Sequence, residues 1–119
     1  MILAISQYDV VPGMELMFEA GIELSRRVFV RANGYLGMEL HRSAEQPSRY
    51  RHFVQWETID DHKRRFRASR LQQEFDVLIA DCIAVGPITE HCTLVVSGGC
   101  NDPLPLPPAR PVALLAGVR

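Results

Sequence analysis

Tyr50-Arg51-His52-Phe53-Val54-Gln55-Trp56-Glu57-Thr58-Ile59-Asp60-Asp61 holds a strand, a stop and a helix start in direct succession. Tyr50, His52, Val54 and Trp56 fall on one face of an extended chain, and the residues between them fall on the other. Thr58 and Asp61 then have capping-box spacing: the Thr hydroxyl accepts from a backbone amide of the first turn, and the acid three residues on reaches back. A helix is therefore predicted to begin there, with Ile59, His62 and Phe66 on one face. Upstream, Asn33-Gly34 is a turn signal, and Tyr35 to Arg42 forms a second strand joined to Tyr50–Glu57 through Ser-Ala-Glu-Gln-Pro-Ser.

Further out in both directions the pattern repeats. Residues 2 to 11 form a first strand whose two alternating sets both contain apolar side chains. Pro12-Gly13 breaks it, and Met14, Met17, Phe18, Ile22 and Val28 recur at helical spacing. Glu15 and Glu19 early, with Arg26 and Arg27 late, suit the helix dipole. Past Asp61, Ser69 with Gln72 offers a second cap for a helix carrying Leu71, Phe75, Leu78, Ile79 and Cys82. Gly86-Pro87 is expected to stop it, and Ile88 to Val96 reads as the last strand. The order β-α-β-β-α-β predicts an α+β, ferredoxin-like antiparallel sheet with both helices on one face. Apolar residues on both faces of the first strand call for a cover on the open side, and a second copy of the chain supplies one.

Composition narrows the partners. Thirteen Lys and Arg against fourteen Asp and Glu in 119 residues give a formal charge of −1, with no electrostatic footprint for nucleic acid or an anionic membrane. No run approaches the length of a membrane-spanning helix, and the first residues lack a signal-peptide pattern. Three cysteines cannot close into a complete disulfide set, which points to a cytoplasmic protein. Residues 1–96 form the expected domain. Residues 97–119, with prolines at 103, 105, 107, 108 and 111, read as a tail that is extended or crosses to a partner subunit through Leu104, Leu106 and Leu114.

Gly34-Tyr35-Leu36-Gly37-Met38-Glu39-Leu40-His41-Arg42-Ser43, Arg49-Tyr50-Arg51, Val54-Gln55-Trp56-Glu57, Asp60-Asp61-His62, Phe66-Arg67-Ala68-Ser69 and Pro87-Ile88-Thr89-Glu90-His91 together resemble the antibiotic biosynthesis monooxygenase family over residues 2 to 96. The resemblance implies a dimeric α+β barrel with a pocket in each protomer between sheet and helices. It also implies one of two chemistries: oxygenation of aromatics without metal or flavin, or oxidative haem breakdown. The haem-degrading pattern has an Asn, a Trp and a haem-ligating His where this chain has Ser6, Phe66 and Asp76. A carboxylate in place of a neutral imidazole removes the axial ligand, so haem breakdown takes third place. For cofactor-free oxygenation Trp56 matches the pattern's Trp, and His52 replaces its Asn.

Chemistry-bearing residues follow from these placements. His62 is the preferred base, with His52 in reserve, since an imidazole can take a proton near neutrality. Trp56 joins them as a catalytic candidate, and Phe66, His91 and Tyr50 are expected to hold the substrate. No two histidines have helical i, i+4 spacing and no Cys-His set has zinc spacing, so no metal is expected, and the resemblance implies no other cofactor. The predicted function is oxidation of a phenol, anthrone or quinol by dioxygen to a quinone. The alternative is a non-catalytic dimeric domain that binds a small hydrophobic metabolite.

Overall fold

The computed structural model describes residues 1–101. Strand β1 (Ile2–Val10) leads into helix α1 (Glu15–Phe29), followed by β2 (Tyr35–Arg42) and β3 (Arg49–Trp56). A π-helical turn (Asp61–Phe66), helix α2 (Arg70–Ile79), a short 3-10 turn (Ala80–Cys82) and β4 (Ile83–Thr93) follow among the described residues. The four strands are ordered β2-β3-β1-β4, with every paired neighbour antiparallel. This is the predicted ferredoxin-like fold.

The core lies between the sheet and the helices. Ala4, Tyr8 and Val10 of β1 and Tyr50, His52, Val54 and Trp56 of β3 are buried against Phe18, Ile22, Val28 and Phe29 of α1 and Phe75 and Ile79 of α2. The period-2 alternation of the strands and the 3.6 period of the helices supply these faces. On the other side of the sheet Leu3, Ile5 and Phe53 are half-buried, as they would be on a sheet face with no second layer.

Both caps form, though with different partners from those expected in one case. The Asp61 amide donates to Thr58 Oγ1 at 3.2 Å, and Asp61 Oδ2 accepts from the Thr58 amide at 3.1 Å, a complete reciprocal box. Ser69 Oγ accepts from the Leu71 amide, but Gln72 turns forward to donate to Asp76 instead of reaching back. Gly34, at φ +79°, lies against this corner so tightly that a Cβ there would come within 2.1 Å of the Asp61 carboxylate.

The last strand differs from expectation. It starts at Ile83 and runs through Gly86-Pro87, where the helix had been expected to stop; its pairing ends at Thr93, and Leu94, Val95 and Val96 are exposed. β4 is an edge strand, so a proline's missing donor is tolerated, and the pairing with β1 shifts register between Gln7 and Val10. Gly86 (φ +113°) permits the close approach, since a Cβ there would sit 2.6 Å from the Gln7 carbonyl oxygen. Cys82 is buried and Cys92 is half-buried. Leu104, Leu106, Leu114 and nearly all of the proline-rich tail lie outside the described residues.

Candidate functional site

Successive inward residues of the sheet make a ladder. Val54, Ala4 and His91 share one rung; His52, Ser6 and Thr89 share the next. Above these rungs the π-helical turn and α2 leave a cleft of about 530 Å³. Its walls are aromatic through Phe29, Phe66 and Phe75 and polar through His52, His62, Arg67, Gln72, Asp76 and Thr89. That combination, apolar walls with a few placed polar groups, is the usual make-up of a small-molecule site.

His62 Nδ1 lies 2.8 Å from His91 Nε2, a hydrogen bond between two imidazoles in which one ring donates and the other accepts. When His62 Nδ1 carries the proton, Nε2 is left with a lone pair and no partner among the described residues. Trp56 stacks on His62 with ring centroids 5.2 Å apart and planes 13° from parallel, which fixes the imidazole's orientation. Burial drives the His62 pKa down to about 4, helped by the Arg67 cation and by His91 and His52. Burial also lowers His91, with Arg67 and Lys63 adding to the effect. The pair is therefore neutral at pH 7.

His52 is buried at the centre of the cleft floor, and desolvation brings its pKa to about 4. Its Nε2 meets Met38 Sδ at 3.5 Å, and its ring lies edge-on to Phe29. Trp56 is fully buried, and its Nε1 has no hydrogen-bond partner. Phe66 stacks on Phe29 at 5.0 Å and completes the aromatic wall.

Of the six residues singled out from sequence, the fold brings His52, His62 and Phe66 to the cleft and sets Trp56 and His91 directly behind His62. Tyr50 is not among them. It lies on the predicted face but beneath α1, where its hydroxyl donates to Glu19, its ring packs on Phe18, and Arg42 crosses it at 5.9 Å. Burial and the Glu19 bond raise its pKa. Sequence reading gave no role to Tyr8 or to Arg67, both of which line the cleft. The signal for Tyr8 was its parity with Ala4 and Ser6 on β1, and for Arg67 its place just after Phe66.

Among the described residues no group of three or more His, Cys, Asp or Glu side chains could hold a metal ion. No helix among them is long and apolar enough to cross a membrane.

The family whose model matches residues 1–76 is antibiotic biosynthesis monooxygenase. The chain belongs to that family. A crystal structure of a candidate antibiotic biosynthesis monooxygenase from Bordetella bronchiseptica shares 43% identity, covering 80% of this chain and 97% of that one, with a TM-score of 0.78. YczJ of Bacillus subtilis, an uncharacterised protein, is 30% identical over 79 residues, 66% of this chain and 83% of its own. SnoaB of Streptomyces nogalater, a cofactor-independent oxygenase, shares the fold at a TM-score of 0.63 and 17% identity, covering 85% of this chain and 97% of its own.

Proposed function

We propose that this family member is a cofactor-independent monooxygenase that oxidises an electron-rich phenol, anthrone or quinol with dioxygen to a quinone. The observation that carries the reading is the neutral His62–His91 pair bonded at 2.8 Å on the wall of an aromatic cleft. The substrate ring lies against Phe29, Phe66 and Phe75, the apolar part of the cleft wall. His62 Nε2 takes the phenolic proton while His91 Nε2 accepts the hydrogen bond from the His62 Nδ1–H, which steadies the imidazolium. Arg67 stabilises the phenolate left behind. The anion passes one electron to dioxygen; the two radicals recombine as a peroxide, which collapses to the quinone with loss of water. One oxygen atom thus enters the product and the other leaves in water. The description of SnoaB as a cofactor-independent oxygenase supports this chemistry by analogy of fold.

The functional unit in this reading is a cytoplasmic homodimer. The half-buried outer face of the sheet, with Leu3, Ile5 and Phe53, is the surface the second copy covers. Incubating metal-free protein with labelled dioxygen and a panel of anthrones and quinols tests the reaction. The expected result is one labelled oxygen per quinone, formed faster than by spontaneous oxidation. No product above the spontaneous rate across the panel leaves a non-catalytic binding domain instead.

A further inference from the structure

The cleft is polar at both ends. His62, His91 and Arg67 gather beside the rung of Ala4, which pairs with His91. Four residues along the same strand, on the same face, is Tyr8, about 13 Å away at the usual rise of a strand. Tyr8 is 3% exposed and lines the cleft, yet its hydroxyl has no hydrogen-bond partner among the described residues. Its oxygen is not among the buried unpaired atoms of the described residues, so it is open to the cleft and free to bond what enters.

Asp76 of α2 lines the cleft at the same end. Gln72 donates to Asp76 Oδ1 at 2.8 Å, which holds the carboxylate in place and leaves Oδ2 open. Burial, with the Asp76 charge adding to it, raises the Tyr8 pKa and keeps the phenolic proton on, so Tyr8 is a donor. No hydrogen bond joins the two side chains directly. A donor and an acceptor thus line the same cleft, each with an atom that no side chain occupies. The opposite end carries the arginine. A ligand is therefore oriented by charge: its acidic hydroxyl lies toward Arg67 and His62, and a neutral hydroxyl or N–H lies toward Asp76.

We propose that Tyr8 and Asp76 form a second anchor that selects elongated aromatics of two or three rings bearing a hydroxyl at each end. One hydroxyl meets His62, and the other accepts from Tyr8 Oη while donating to Asp76. This inference rests on the cleft being an aromatic-binding site, as set out above, and not on turnover. It narrows the substrate class from any electron-rich phenol to those polar at both ends.

Calorimetric titration with para,para-dihydroxybiphenyl and para-hydroxybiphenyl separates the two ideas. Wild type is expected to bind the two-ended probe about tenfold more tightly, the effect of a hydrogen bond to a charged group. Asp76→Asn and Tyr8→Phe are each expected to bring that ratio close to one; Asp76 is exposed and Tyr8→Phe keeps the ring, so both variants fold. Equal affinity of wild type for the two probes, or an unchanged ratio in both variants, overturns the second anchor while leaving the aromatic cleft standing. Failure of wild type to bind either probe overturns the reading of the cleft itself.

Discussion

Acidification from pH 7 to pH 5 is expected to weaken the fold by about 2 kcal/mol through His52 alone. His52 is buried among Met38, Phe29 and Phe75, and desolvation lowers its pKa from 6.5 to about 4. In the unfolded chain the imidazole takes up a proton as the pH falls below 6.5; in the folded chain it does so only near pH 4. Stability contributed by the neutral, buried ring is therefore complete above pH 6.5 and drains away between 6.5 and 4. At pH 5 the unfolded state is almost fully protonated at this site and the folded state is only about one-tenth so, which yields the figure above. His62 and His91 steepen the same slope in the wild-type protein. Substituting His52→Leu, close in volume, removes only the His52 share. Urea unfolding of both proteins at pH 7 and pH 5 gives the four stabilities required. The wild type is expected to lose about 2 kcal/mol more than the variant over that interval. Equal losses, within roughly 0.5 kcal/mol, would refute the burial of a neutral His52.

Four further outcomes are expected. kcat/KM should rise with pH on a limb near 4, where His62 of the free protein loses its proton, and stay level through neutrality; a limb near 6.5 would show an unperturbed imidazole instead. Gly34→Ala is expected to lower the thermal midpoint by several degrees or more, because both the φ of +79° and the Asp61 carboxylate stand against a side chain. Ser69→Ala removes the N-cap acceptor of α2 and should cost about 1 kcal/mol in chemical unfolding. Placing a charge on the outer sheet face, as in Ile5→Lys, should convert a dimer to a monomer in analytical ultracentrifugation. An unchanged sedimentation coefficient would move the interface elsewhere.

Periodicity and capping chemistry made most of the fold legible in the sequence. The alternation of Tyr50 to Trp56 and the box at Thr58–Asp61 placed β3 and the turn that follows it, because both signals are local. Gly86-Pro87 was misleading for the opposite reason. Whether that dipeptide ends an element depends on what lies beside it, and beside an edge strand with shifted register it is accommodated. The π-helical form of Asp61–Phe66, which sets His62 on Trp56 and Phe66 on Phe29, was equally invisible, since those contacts are tertiary. The site shows the same division. Strand parity put His52 and Trp56 on the right face but could not tell that Tyr50, two rungs from Val54, would fall under α1 and bind Glu19. Parity put Tyr8 on the cleft face, but that Asp76 lines the same cleft depends on how α2 packs over the sheet, which no local pattern encodes.

Dioxygen consumption by metal-free wild type and by His62→Ala, each with the best anthrone or quinol of the panel, tests the catalytic account most directly. The account predicts uptake above the spontaneous rate in the wild type, one dioxygen per quinone formed, and a fall of 10²-fold or more in the variant, the usual weight of a general base. Uptake that is the same in both proteins would contradict it.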